Sequence, residues 1–181
     1  VEFGSPAGRD QPLQRWDRAW TAGSASPLVV GRADGPEQTG IDAWMVDGAS
    51  LEGTVTDDSG SSLGNICVEA FEAIDGRRGE EVGAAVTAAD GTYSLRSLPP
   101  VPTLVRFRDC SASGYATEWY SDATDVADAK VLNVVPGGEL FGVDERLGRG
   151  TSITGRVTDA DGTPIEGICV RVSTGDSERE R

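Results

Sequence analysis

The sequence predicts an all-β protein built as a β-sandwich, and three observations lead to that fold class. Apolar and polar residues alternate with a period of two in several short segments, as in strands that bury one face. Turn residues separate these segments at intervals of roughly 8–12 residues. The 24 glycines and 9 prolines are spread along all 181 residues, which favours short strands and turns over long helices.

Seven strands are expected between residues 49 and 150. The first is followed by a turn in which Asp57 bonds to its own backbone and Gly60 takes a positive φ. A single helical turn fits residues 112–120. The expected strands are 51–56, 66–71, 82–87, 92–95, 103–108, 130–135 and 140–147.

An internal repeat sets the domain organisation. Residues 49–68 read ASLEGTVTDDSGSSLGNICV and residues 151–170 read TSITGRVTDADGTPIEGICV, and they align without a gap at an offset of 102. Identities at a fixed spacing indicate a tandem array, in which each unit is one structural module.

The flanking segments extend this pattern. Val1-Glu2-Phe3 resembles Val105-Arg106-Phe107, and Trp16 falls near Trp119 after a slip of one or two residues. Three parts are therefore expected: the C-terminal part of a preceding repeat in 1–48, a complete repeat in 49–150, and the N-terminal part of a following repeat in 151–181.

A longer motif in the complete repeat resembles a known family. The series Gly-x-Val-x-Asp, then Gly, then a strand, then Thr-x-x-Asp-Gly-x-Tyr-x-Leu-x-x-Leu-Pro-Pro is similar to the carboxypeptidase regulatory-like repeat. The matching residues are Gly53, Val55, Asp57, Gly60, Thr87, Asp90, Gly91, Tyr93, Leu95, Leu98, Pro99 and Pro100.

This resemblance implies a seven-stranded Greek-key β-sandwich of the prealbumin (transthyretin-like, or carbohydrate-binding-like) fold. Members are typically non-catalytic parts of secreted or surface proteins, some of them attached to glycoside hydrolases or peptidases. Fold does not fix function, so the resemblance is more specific for architecture than for activity.

Three cysteines allow more than one arrangement. A Cys67–Cys110 disulfide would close a loop inside one sandwich, a Cys67–Cys169 disulfide would join equivalent positions of neighbouring repeats, and buried free thiols are the third alternative. We expect the Cys67–Cys110 disulfide, with the partner of Cys169 unassigned. A disulfide implies an oxidising setting, so a secreted or cell-surface protein is expected.

Charge and composition exclude several function classes. The chain has 16 Lys+Arg against 30 Asp+Glu, a net charge of −14, which argues against a nucleic-acid partner. No apolar run is long enough to insert in a membrane. The absence of histidine removes the commonest general base and most zinc sites. We therefore expect no catalytic residue, no metal site and no cofactor.

Aromatic residues make up only 6% of the chain, so their positions are informative. Glu118, Trp119 and Tyr120 form a cluster in which the rings could stack on a sugar and the carboxylate could accept its hydroxyl hydrogen bonds. The alternative is that Trp119 or Tyr120 covers the core of the sandwich.

These observations predict a non-catalytic extracellular spacer or adhesion stalk, with carbohydrate binding as a second function. The expected partners are a polysaccharide or cell-surface glycan and the neighbouring repeats of the same chain. The alternative function is an accessory carbohydrate-binding module of a larger secreted enzyme, such as an amylase-like glycosidase or a carboxypeptidase.

Overall fold

The computed structural model describes residues 45–171 together with residues 2–3, 14–15 and 41. The chain divides into two units, residues 1–150 and residues 151–181. The described residues contain strands and no helix, and thus no helix that could cross a bilayer. The strands are β1 Glu2–Phe3, β2 Gln14–Arg15, β3 Ala49–Asp57, β4 Ile66–Ile74, β5 Arg77–Val86, β6 Thr92–Leu98, β7 Pro102–Asp109, β8 Glu118–Trp119, β9 Leu132–Asn133, β10 Glu139–Leu140 and β11 Glu145–Leu147.

The first sheet of the sandwich is centred on β3. Strand β6 pairs with one edge of β3 in antiparallel orientation, with Gly53 opposite Tyr93. Strands β10 and β11 both pair with the other edge, and both run parallel to β3. The first strand of the module and its last two strands are therefore parallel neighbours.

The second sheet has the order β5-β4-β7, and all its pairings are antiparallel. Strand β8 pairs with the C-terminal half of β7, and β9 pairs with its N-terminal end. Val68 of β4 lies opposite Phe107 of β7, and both side chains are fully buried. The long central pair β4–β7 thus provides one wall of the core.

The core lies between the two sheets because alternate residues of each strand face inward. Its fully buried large side chains come from both sheets; they include Leu51, Val55, Ile66, Val68, Leu98, Val105, Phe107 and Leu147. The all-β sandwich predicted from the sequence is confirmed.

A smaller cluster forms on the opposite face of the second sheet. It contains Phe71, Leu104, Trp119 and Ala123, which alternate in strand position with the inward residues of the main core. The second sheet therefore has apolar contacts on both of its faces.

The predicted turn after β3 forms as expected. The Oδ1 atom of Asp57 accepts hydrogen bonds from the N–H groups of Ser59 and Ser61, both at 2.9 Å. Gly60 has a φ of 81°, in the left-handed region that favours glycine. The turn is thus encoded by its own four or five residues.

Gly53 allows a close crossing of two segments. A Cβ atom at this position would overlap the carbonyl oxygen of Val143, which lies between β10 and β11. That same oxygen accepts a 2.6 Å hydrogen bond from the hydroxyl of Tyr93. Two residues of the family motif, the glycine and the tyrosine, therefore hold the 141–144 segment in place.

Three details differ from the sequence prediction. Residues 45–171 contain nine strands rather than seven, because the expected strand 140–147 is interrupted where its chain crosses Gly53 and because the short strand β8 was not expected. The expected strand 130–135 is reduced to β9, and the helical turn expected in 112–120 is replaced by irregular chain and β8. The Greek-key connectivity stays a prediction.

The predicted partial repeat 1–48 lies for the most part outside the described residues, and so does Trp16. Within it, β1 and β2 form an antiparallel pair with Glu2 opposite Arg15 and Phe3 opposite Gln14.

Candidate functional site

The three residues predicted to bind carbohydrate lie together but are largely covered. Trp119 is 8% exposed and Glu118 is 9% exposed. Tyr120 is half-buried against the main core, with the ammonium group of Lys130 5.4 Å from its ring centre. A sugar ring needs an open aromatic face, and Trp119 does not offer one in this conformation. Carbohydrate binding by these residues stays a prediction.

Arg106 covers the ring of Trp119. Its guanidinium group lies 5.6 Å from the centre of the Trp119 ring and 5.0 Å from that of Phe71, within the range of cation–π attraction. The two rings are themselves 5.8 Å apart and tilted. The smaller cluster on the outer face of the second sheet, which contains Phe71 and Trp119, is therefore a packed structural layer.

Glu69 holds Arg106 in this position. Its carboxylate lies 2.6 Å from Arg106 and 3.1 Å from Arg108. Burial raises the pKa of Glu69, but the hydrogen bonds and charges of the two arginines outweigh burial, and the net pKa is lowered. These partly exposed ion pairs account for the basic side chains of β7.

The disulfide between Cys67 and Cys110 is confirmed. Cys67 lies in β4 and Cys110 directly follows β7, and their Cα atoms are 5.7 Å apart. The N–H of Cys110 also donates to the carbonyl of Asn65 at 3.3 Å. The bond therefore joins two neighbouring strands at one end of the second sheet, whereas Cys169 is free and exposed.

Asp109 organises the loop that follows the disulfide. Its two carboxylate oxygens accept hydrogen bonds from the N–H groups of Ser111, Gly114 and Tyr115. Partial burial raises the pKa of Asp109, but the hydrogen bonds from the loop outweigh it and hold the pKa well below the usual range. The loop between β7 and β8 is therefore held by one ionised side chain.

Three carboxylates converge where β8 meets β11. Glu118, Asp122 and Glu145 each place one oxygen atom within 4.8 Å of those of the other two, and we call this group the carboxylate cluster. No metal site is predicted from the sequence, and of these three residues only Glu118 is identified there, as a carbohydrate-binding residue. Asp122 and Glu145 are functional candidates that appear only in the folded structure.

The backbone orients two members of the carboxylate cluster. Oε1 of Glu118 accepts a 3.1 Å hydrogen bond from the N–H of Gly148. Oε1 of Glu145 accepts bonds from the N–H groups of Asp122 and Arg146 at 3.1 and 3.3 Å. Both carboxylates are therefore oriented by main-chain N–H groups of β11, of the residue that follows it and of the loop after β8.

Glu145 is the most unusual member of the carboxylate cluster. It is 4% exposed, and its Oε2 atom is buried without a hydrogen-bond partner. Burial raises the pKa of Glu145 to about 7, and the charges of Asp122 and Glu118 act in the same direction, against the two backbone hydrogen bonds. A sequence signal for this position exists: within the predicted strand 140–147, Glu145 stands in the alternation between the apolar Val143 and Leu147, and all three side chains are buried.

An open surface depression of about 560 Å³ lies beside the starts of β3 and β10. Glu52 and Arg96 form an ion pair of 3.7 Å on its wall. Its lining is mostly polar and glycine-rich, and the chain has no histidine that could activate the serines in it.

Family models provide a test of the family resemblance that the motif predicts. Residues 50–136 match the carboxypeptidase regulatory-like domain. The resemblance seen in the sequence is confirmed for this segment, which is a non-catalytic β-sandwich in that family. No curated protein matches the chain.

Several solved structures match the chain at low similarity. 3-Chlorocatechol 1,2-dioxygenase from Rhodococcus opacus 1CP is 16% identical with a TM-score of 0.37, over 57% of this chain and 61% of its own. Catechol 1,2-dioxygenase from Pseudomonas arvilla C-1 is 16% identical with a TM-score of 0.38, over 65% and 55%. The chain thus spans only about three fifths of the length of these proteins.

Proposed function

We propose that the regulatory-like domain is an extracellular spacer module that transmits tension along a tandem array of similar modules. The observation that supports this function is the parallel pairing of β3 with β10 and β11. In this pairing Ser50 lies opposite Glu139, and Val55 lies opposite Glu145. The module thus begins and ends on neighbouring strands that run in the same direction.

Parallel terminal strands have a mechanical consequence. The chain enters at the N-terminal end of β3 and leaves at the C-terminal end of β11, which are opposite ends of the same ladder. Tension on the two ends shears the ladder, so the hydrogen bonds along it share the force and do not break one after another. The hydroxyl and N–H of Thr54 add two 2.8 Å bonds to Asp144 across this same boundary.

The disulfide supports the same function. Cys67 and Cys110 are separated by 43 residues, and these residues include most of the second sheet. Force applied at the ends cannot extend this loop while the disulfide is intact. A disulfide also fits an extracellular location, where such bonds persist.

The array itself is supported by repeated local structure. In the second unit, the hydrogen bonds from Asp159 N–H to Thr163 O and from Ile165 N–H to Val157 O reproduce those of Asp57 and Leu63 in the first. Near the N-terminus, the β1–β2 pairs follow the register of β7–β8 at an offset of 104. The flanks therefore reuse local arrangements of the central module.

Single-molecule pulling of the full chain tests this function. With handles at the two chain ends, the module is expected to unfold in one high-force event. With handles at exposed Ser59 and Gly150, which lie at the same end of the β3–β11 ladder, the ladder unzips and the unfolding force is expected to fall. Equal forces in the two directions would contradict the proposal.

The disulfide provides an internal control for the same measurement. Reduction should add the length of the 43-residue loop to the extension released on unfolding. At about 3.5 Å per residue, that is roughly 150 Å of additional contour length.

A further inference from the structure

We infer that the carboxylate cluster of Glu118, Asp122 and Glu145 is a binding site for a calcium ion. One oxygen of each residue lies within 4.8 Å of the others. Oxygen atoms at this spacing can all lie about 2.3–2.6 Å from one Ca²⁺, which accepts six to eight oxygen ligands. Water would supply the remaining ligands on the exposed side of Asp122.

A buried oxygen without a partner distinguishes this cluster from an ordinary acidic surface. Glu145 is 4% exposed, and its Oε2 atom makes no hydrogen bond. An unpartnered buried carboxylate oxygen is energetically unfavourable unless a proton or a cation compensates it. Since the same carboxylate faces those of Glu118 and Asp122, a cation between them would satisfy all three groups.

Basic side chains of the described residues do not neutralise this cluster. Within residues 45–171, the ion pairs of up to 4.0 Å are formed by Arg96, Arg106 and Arg108, and none involves the carboxylate cluster. Three carboxyl groups therefore converge without an arginine or lysine partner from that part of the chain. Magnesium keeps several waters and is usually bound by one or two carboxylates, so three carboxylate ligands favour calcium.

The position of the site gives the ion a structural effect. Glu118 belongs to β8 of the second sheet, and Glu145 belongs to β11 of the first. Asp122 lies in the loop after β8, whose ends are held by the reciprocal Trp119–Ala123 hydrogen bonds. Bound calcium would therefore link the two sheets at one edge of the sandwich and stabilise the folded state.

Calorimetric titration of the full chain with Ca²⁺ tests the site directly. We expect one ion per chain with a dissociation constant of about 10⁻³ M or lower, and a rise in melting temperature with added Ca²⁺. Asp122 is exposed, so Asp122→Asn should keep the fold while weakening binding by about tenfold or more, as expected for the loss of a charged ligand.

A matched variant separates the site from general charge effects. Asp128→Asn removes the same charge from an exposed side chain of the same connection between β8 and β9, outside the carboxylate cluster. It should bind Ca²⁺ as the unmodified chain does. The inference is overturned if about 10 mM Ca²⁺ gives neither heat nor a shift in melting temperature, or if Asp122→Asn binds as tightly as Asp128→Asn.

Discussion

Two segments of the chain carry the same sequence signature and differ in what surrounds them. We call residues 49–68 the core segment and residues 151–170 the repeated segment. Both form the same turn: Asp57 and Asp159 each accept hydrogen bonds from the N–H groups two and four residues later. Gly60 and Gly162 have φ values of 81° and 84°. The turn is therefore determined by its own residues.

The strands on either side of the turn behave differently. Core residues of the first segment are at most 8% exposed, whereas their counterparts in the second are 38–77% exposed. Within the described part of the repeated segment no strand forms, and only the Thr158–Pro164 bridge pairs its backbone. The exposed counterparts are Ile153, Val157, Ile165, Ile168 and Val170. A strand of this sequence thus needs partner strands and an opposing sheet, as expected for isolated hairpins in water.

The largest loss of stability is expected when the disulfide-bonded cysteines are replaced. Replacing both Cys67 and Cys110 by alanine should lower the free energy of unfolding by about 4 kcal/mol, because the bond no longer restricts a 43-residue loop in the unfolded chain. Urea denaturation monitored by circular dichroism measures this loss. Cys169→Ala, at the position equivalent to Cys67, should change nothing, and a loss in that variant would break the contrast between the segments.

A paired truncation tests the core directly. Leu51→Ala should destabilise the domain by about 3 kcal/mol, since this fully buried side chain leaves a cavity. Ile153→Ala, its counterpart at 77% exposure, should alter stability by less than about 0.5 kcal/mol. Denaturant midpoints of the two variants give the comparison. Similar losses in both would show that the repeated segment is packed in solution.

The paired glycines sharpen the same comparison. Gly53→Ala would force Val143 away and strain the bond from Tyr93, at an expected loss of about 2 kcal/mol. Gly155→Ala has no atom within 4 Å to displace and should be neutral. Thermal melts of the two variants measure this difference. Equal stability of Gly53→Ala and the unmodified chain would contradict the close crossing.

Sequence patterns predicted those parts of the fold that depend on local chemistry. Period-two alternation located β3 and β4, and aspartate followed by glycine located the turns, because both signals act over a few residues. The break between β10 and β11 was missed, since it depends on the crossing at Gly53, about 90 residues away in the chain.

The candidate functional residues likewise divide into those that local sequence predicts and those that come together only on folding. The Cys67–Cys110 bond was the expected one of three arrangements because it closes a loop inside one sandwich, from the second predicted strand to just beyond the end of a later one. The carboxylate cluster was not, because its residues come from β8, a loop and β11, which meet only when the two sheets pack. Glu145 alone had a local signal, a charged residue at an inward strand position.

The smallest expected effect is a change in how the stability of the domain depends on pH in acid. Hydrogen bonds from the Ser59 hydroxyl and the Ser61 N–H hold the pKa of Asp57 below its usual value. The ionised form is therefore favoured in the folded domain, and the stability that it contributes is complete above the unfolded pKa of about 3.9 and lost as the pH falls through the lower folded value.

Asp57→Asn keeps an accepting oxygen in the turn but removes the titrating group, so the melting temperature of this variant should fall less than that of the unmodified chain between about pH 5 and pH 2. Asp159→Asn makes the same change in the equivalent turn, whose flanking residues are exposed. It should leave the acid dependence of the domain as it is, because that turn forms without a folded core around it. A matching change in both variants would mean that the two turns contribute to one cooperative unit, and the contrast drawn from their surroundings would be wrong.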